Sequence, residues 1–186
     1  MKIKNIIEVL IQSAPKPLKQ ADLNHLLAGE KKVKLEKIID ELNRDYKKMD
    51  KGFYIEKISG GYQLLSRKEY HIYIEKLLQE TRKPRFSKAA METLSIIAYK
   101  QPITRLEIEH IRGVDSSGVV KNLLDKGLIN IKGRDEGLGR ALLYVTTPLY
   151  LEIFGLDSLK DLPTLDELTE LMEEGSQSTS IKDENK

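Results

Sequence analysis

Cysteine is absent from the 186 residues, so neither a disulfide nor a thiolate metal site can form, and a chain without thiols suits a reducing compartment. Histidine occurs three times, as His25, His71 and His110. They fall in different segments and lack the HExxH spacing of a helix-borne zinc site, so no metal is expected. His25 and His110 occupy equivalent places in an internal repeat described below, which predicts a shared packing or capping role. Long apolar runs are missing too. None approaches the ~20 residues of a membrane span, and residues 1–20 interleave polar with apolar positions, the pattern of an amphipathic helix and not of a secretory leader. Neither charge is in excess: 31 Lys and Arg oppose 29 Asp and Glu, net +2. The molecule as a whole therefore has no strong field to draw in DNA or an anionic membrane.

Catalytic signatures are also wanting. There is no GxxxxGK[ST] phosphate loop and no GxSxG nucleophile elbow. Gly137-Leu138-Gly139 leads into a strand, whereas a dinucleotide fingerprint leads out of a strand into a helix; it reads as a wing tip. Ser116-Ser117 stands at a helix start, where a serine hydroxyl accepts from free backbone N–H groups. No nucleophile, base and orienting group come together. The sequence points away from an enzyme and requires no cofactor.

What is present is a repeat. Hydrophobic residues make up 40% of the chain, and they recur with helical and then strand periods. Ile3, Ile6, Ile7, Leu10 and Ile11 predict a helix over 2–13, stopped by Pro15 and Pro17. Leu18 to Leu27 reads as a second helix, and Leu35, Ile38, Ile39, Leu42 and Tyr46 mark a third. Phe53 to Ile58 and Tyr62 to Leu65 then read as strands around Ser59-Gly60-Gly61, whose paired glycines suit a tight hairpin turn. Tyr70, Tyr73, Ile74, Leu77 and Leu78 add a closing helix. The order recurs: a helix capped by Ser87, with Pro102 as breaker; a helix opened by the capping box Thr104-Arg105-Leu106-Glu107 and ended by Gly113; a third capped by Asp115; strands from Ile129 and over Leu142 to Thr146; and a closing helix from Thr147-Pro148. Pro17-Leu18 matches Pro102-Ile103, and Leu23, His25 and Leu26 match Ile108, His110 and Ile111. Three helices followed by a hairpin is the winged form of the helix-turn-helix. The expected fold class is α+β, mainly helical, with two tandem winged-helix domains and an acidic, partly disordered C-terminal tail.

The expected boundaries are a first domain over 1–80, a linker over 81–86, a second domain over 87–156, a docking segment and short helix over 157–174, and a disordered tail over 175–186. The charge follows them. Residues 1–83 carry net +6 (18 basic, 12 acidic), 84–155 net +2 (10 and 8) and 156–186 net −6 (3 and 9).

A winged helix that reads DNA puts its third helix in the major groove and needs surplus Lys and Arg there. Residues 115–127 hold two Lys and two Asp. The wing's Lys132, Arg134 and Arg140 are offset by Asp135 and Glu136. In the first domain Lys31, Lys32, Lys34, Lys37, Arg44, Lys47 and Lys48 alternate with five acids, which predicts a solvated face carrying i,i+4 pairs such as Asp40–Arg44 and Lys37–Glu41; weak, salt-sensitive DNA contact is the other reading. The apolar inventory points to protein partners. Tyr70, Ile72, Tyr73, Ile74, Leu77 and Leu78 make the first closing helix apolar over a wider arc than a small domain needs, which suits either a twofold interface or ordinary core packing.

Residues 96–129, IIAYKQPITRLEIEHIRGVDSSGVVKNLLDKGLI, and 132–168, KGRDEGLGRALLYVTTPLYLEIFGLDSLKDLPTLDEL, resemble the segregation and condensation protein B (ScpB) family. The resemblance is densest at Ile97-Ala98-Tyr99, Gln101 to Arg105, Ile111 to Val114, Gly133-Arg134 with Gly139-Arg140, Thr146-Thr147 and Phe154 to Leu156. One departure is Ala141, where the family favours proline. The resemblance implies a non-enzymatic, cytoplasmic and nucleoid-associated accessory subunit that homodimerises through its first domain. It implies binding to the central region of the kleisin ScpA, and through ScpA to the SMC ATPase, in chromosome condensation and partition during the cell cycle and cell division. No membrane is involved, and DNA is touched at most weakly and non-specifically. Candidate kleisin contacts are Arg134, Arg140, Tyr144, Tyr150 and Phe154, since Arg and Tyr favour interface hot spots; Tyr150 and Phe154 suit a core equally. Candidate dimer contacts are Tyr70, Ile72, Tyr73 and Leu77. The alternative function is a DNA-binding winged-helix transcriptional regulator.

Overall fold

The computed structural model describes residues 2–28, 33–78, 86–137, 139–164 and 167. In the first unit, α1 (Ile3–Ser13), α2 (Gln20–Leu26) and α3 (Leu35–Lys48) precede the antiparallel strands β1 (Phe53–Ile58) and β2 (Gly61–Ser66). The helical spacing decides what is buried: Ile7 and Ile11 from α1, Leu23 from α2, and Leu35, Ile39, Leu42 and Tyr46 from α3. With Leu18 and Ile55 these residues form one core.

The hairpin closes with Ile58 opposite Gly61. Ser59 and Gly60 both have positive φ, 51° and 72°, as a two-residue primed turn requires. Of the paired glycines only Gly60 serves the turn. Gly61 belongs to β2 for a different reason: a Cβ there would lie 2.8 Å from the Pro17 carbonyl oxygen. That close approach lets Leu18 and Tyr62 exchange two backbone hydrogen bonds of 2.9 Å.

The outer edge of β1 is closed by a side chain. Ile55 faces Leu64 at a pair whose backbone groups point away from β2. Asn43 on α3 takes them both: its Oδ1 accepts from Ile55 N–H (2.8 Å) and its Nδ2 donates to the Ile55 carbonyl (2.8 Å).

The second unit repeats the order. Ser87 Oγ accepts from Ala90 N–H and caps α5 (Lys88–Lys100). A strand of two residues, β3 (Ile103–Thr104), leads into α6 (Arg105–Arg112) through the expected capping box. Thr104 N–H donates to Glu107 Oε2 (2.7 Å) and Glu107 N–H donates to Thr104 Oγ1 (3.3 Å). Gly113 ends α6 with φ 71°. Then follow α7 (Ser117–Asp125), β4 (Ile129–Arg134), β5 (Leu142–Thr146) and α8 (Pro148–Phe154). The sheet order is β3-β5-β4. Leu94, Ile97, Ile108, Leu123, Leu128, Ile129, Tyr144 and Tyr150 anchor a separate core. The matched pairs Pro17-Leu18 and Pro102-Ile103 are thus one element used twice: Leu18 bridges Tyr62 and Ile103 pairs with Tyr144.

Several details differ from expectation. The N-cap of α7 is Ser116, while Asp115 Oδ1 accepts from Ser117 N–H (3.2 Å) and Oγ (2.6 Å). On α3, Arg44 Nε donates to the Asp40 main-chain carbonyl, so the Asp40–Arg44 ion pair does not form. Lys37–Glu41 is not among the ion pairs of the described residues either; the pair formed there ties Lys4 of α1 to Asp45. His25 and His110 are both exposed, in the last turns of α2 and α6, so they do not pack in a core.

Beyond α8, Gly155 turns the chain with φ 67° into a strap. Ser158 and Asp161 form a capping box around a 3-10 turn, Leu159–Asp161, and the Tyr99 hydroxyl donates to the Pro163 carbonyl (2.7 Å). Thr164 and Glu167 exchange the hydrogen bonds of a further capping box. The expected linker up to residue 85, the short helix beyond residue 167 and the tail over 175–186 lie outside the described residues.

Candidate protein-docking surfaces

The first closing helix, α4 (His71–Leu78), follows a 3-10 turn at Lys68–Tyr70. Its start is held by three hydrogen bonds: Arg67 N–H donates to the Gly52 carbonyl, the Arg67 side-chain Nε to the Lys51 carbonyl, and Tyr70 N–H to the Arg67 carbonyl. Tyr70 lies against Gly52, where a Cβ would stand 2.8 Å from the ring. Beyond that anchor α4 buries no side chain. Ile72, Tyr73 and Leu77 are 61%, 69% and 79% exposed, so ordinary core packing does not explain this apolar helix. Burying such side chains is worth about 1.5–3 kcal/mol each, which the single chain leaves unused.

The second surface is the wing and α8. Arg134 and Arg140 are exposed at the hairpin end. Arg134 Nη1 donates to the Arg140 carbonyl (3.1 Å), and Arg140 itself has φ 44°. Neither arginine is in an ion pair among the described residues, so both charges face solvent. Of the three aromatic candidates only Phe154 stays accessible; its ring stands 4.7 Å from that of Tyr150. Tyr144 and Tyr150 are 6% and 4% exposed and belong to the second core, because β5 alternation and the first turn of α8 aim them inward. Their expected role as contacts therefore gives way to a packing role. Burial raises the Tyr150 hydroxyl pKa, with a smaller push from Tyr99.

Sequence reasoning missed a third apolar group. Leu106, Ile111 and Val114, on and just after α6, are all more than half exposed. The repeat extends it: Leu26, the counterpart of Ile111, is exposed as well.

The helix that would enter DNA is poorly equipped. Between its ends α7 carries one base, Lys121, and one acid, Asp125. The arginine preceding it, Arg112, is turned inward, with Nη1 donating to Ser116 Oγ (2.9 Å) and Nη2 facing Glu92 at 3.4 Å. No group of three or more His, Asp or Glu able to hold a metal occurs among the described residues. No helix among them is long and apolar enough to cross a membrane.

Two winged-helix units, each with its own core, thus expose apolar side chains and, among the described residues, two wing arginines outside any ion pair. The model of the family described as segregation and condensation complex subunit ScpB matches residues 5–165, and the chain belongs to that family. The segregation and condensation protein B of Syntrophotalea carbinolica is 45% identical over 174 residues, covering 94% of this chain and 87% of that protein. Among solved structures, ScpB from Mycobacterium tuberculosis is 29% identical and covers 83% of this chain and 96% of that one, with a TM-score of 0.39. A dimer of an ScpB N-terminal domain complexed with an ScpA peptide is 25% identical and covers 40% of this chain and 93% of that one, with a TM-score of 0.36.

Proposed function

We propose that this chain is a non-enzymatic subunit of a cytoplasmic, nucleoid-associated SMC–kleisin complex, working as a homodimer that grips the central segment of an ScpA-type kleisin. The observation that carries the reading is α4, a helix of large apolar side chains with none buried. A twofold copy of the same face is the commonest way to cover such a surface, and the named relative crystallised as an N-terminal domain dimer with an ScpA peptide agrees with it.

In this reading Tyr70, Ile72, Tyr73 and Leu77 form the dimer contact. Arg134, Arg140 and Phe154 contribute to the kleisin surface, the arginines by charge-assisted bonds to carboxylates or carbonyls and Phe154 as an apolar anchor. A dimer presents this surface twice, so one extended partner held at two points gains effective concentration without new contacts. ATP hydrolysis then belongs to the SMC partner, reached through the kleisin. DNA is a weak partner at most, as the charge-neutral α7 and inward Arg112 support.

Light scattering on the Ile72→Glu/Tyr73→Glu chain tests the dimer: a monomer with native circular dichroism is expected, and a persistent dimer refutes the assignment. Capture of ScpA by Arg134→Glu/Arg140→Glu tests the second surface; undiminished capture refutes it. Tight sequence-specific DNA binding by the chain alone would favour the regulator instead.

A further inference from the structure

The tip of the first hairpin is partly covered where a free wing tip would be bare: Ser59 is buried and Gly60 is exposed. Ile58 is 1% exposed, yet it belongs to neither core cluster, and Ser59 in the turn itself is 7% exposed. In a two-residue hairpin turn the N–H groups of the two central residues have no acceptor within the hairpin. Here both find acceptors about a hundred residues further along the chain. Ser59 N–H donates to the Leu156 carbonyl (2.9 Å) and Gly60 N–H donates to Asp157 Oδ1 (2.8 Å). Ser59 Oγ donates to the Pro148 carbonyl (3.4 Å). The other oxygen of the Asp157 carboxylate pairs with Lys57 Nζ at 2.8 Å.

We propose that the first wing's tip and the strap after α8 form an intramolecular clasp, Lys57-Ser59-Gly60 on Leu156-Asp157, that fixes the second winged-helix unit against the first. The parts suit that task. Asp157 is placed by the sharp left-handed turn at Gly155 and by its own N–H donating to Asp161 Oδ2 (3.1 Å). The Asp157 carboxyl is held below the usual carboxylate range, first by the Lys57 ammonium and also by the Gly60 N–H, and Lys57 is correspondingly raised. The backbone bonds give the clasp its geometry, and the single ion pair makes it releasable without unfolding either core. The inference goes beyond the dimer and kleisin reading and does not depend on it. Its consequence is that α4 and the second wing keep a set spacing within one chain.

Amide hydrogen exchange by NMR on the full chain reads the clasp directly. The Ser59 and Gly60 amides of the native protein should be protected by at least about tenfold over a free turn. Asp157→Lys, which confronts Lys57 with a like charge, should remove that protection. The exchanged pair Lys57→Glu/Asp157→Lys should restore most of it. Leu18 and Tyr62 amides, which bond to each other inside the first unit, should stay protected in all three proteins and certify that it is folded. Unprotected Ser59 and Gly60 amides in the native chain, or protection that Asp157→Lys leaves intact, would overturn the clasp.

Discussion

Replacing Asn43 by Ala removes one side chain that performs the job of a missing strand. Its amide makes two hydrogen bonds of 2.8 Å with the N–H and carbonyl of Ile55, on the free edge of β1. Each such bond is worth about 1 kcal/mol net, and a buried partner left unsatisfied costs about 1–3 kcal/mol. Ile55 is buried, at 3% exposed, and α3 stands over its backbone, so water reaches the vacated groups poorly. Asn43→Ala should therefore lose about 2–4 kcal/mol in urea unfolding. Asn43→Asp separates the two halves of the contact. An ionised carboxylate still accepts from Ile55 N–H but sets a negative oxygen against the Ile55 carbonyl. Its deficit should match or exceed that of alanine near neutrality, and shrink below the ordinary aspartate pKa of about 3.9, where the protonated acid can donate. Exchange of the Ile55 amide should accelerate in Asn43→Ala. A loss under about 0.5 kcal/mol, the range of a neutral surface change, would refute the claim that this edge depends on Asn43.

The capping box of α6 carries a pH signature. Hydrogen bonds from the Thr104 N–H, then from its hydroxyl, hold the Glu107 carboxyl below its usual range, so its contribution is present above the unfolded-state value and lost as pH falls through the folded one. Acid unfolding below about pH 4.3 should show this loss in the native chain and not in Glu107→Gln. Gly61→Ala should destabilise the first unit by about 1–3 kcal/mol, because the new methyl meets the Pro17 backbone at 2.8–2.9 Å; a thermal melt equal to native would show that the Pro17 segment yields freely. Tyr144→Ala should cost about 3–5 kcal/mol by emptying a core site, while Arg134→Glu should stay within about 0.5 kcal/mol, a contrast that denaturant titration can read.

The sequence carried the element order because each signal was local. Ser87, the Thr104/Glu107 box and Gly113 act within one turn of the helix they bound, and Ile7, Ile39, Leu94 and Ile108 sit on faces set by the helical period. Aromatic residues were harder to place. Tyr144, Tyr150 and Phe154 look alike in sequence, and only the pairing of β5 and the direction of α8 send two inward and leave one outside. The ion pairs of α3 failed for a related reason: a long cation has several acceptors in reach, and Arg44 took a main-chain carbonyl. The contact between Gly60 and Asp157 spans 97 residues, and nothing in either local sequence announces it. Neither does the use of Asn43, which depends on which edge of β1 faces α3.

Although the chain is built on a repeat, its two hairpins offer an experimenter very different handles. Residues 135–137 and 139–140 are exposed and follow a register shift between Ile131 and Gly133, the kind of tip that tolerates inserted peptide. A fluorophore or affinity tag grafted there should leave folding intact while obstructing whatever binds at Arg134 and Arg140. The same graft between Ile58 and Gly61 would break the bonds that Ser59 and Gly60 make to Leu156 and Asp157. Two insertions at matched places in a duplicated fold thus become separate instruments, one for blocking a partner and one for loosening the chain itself.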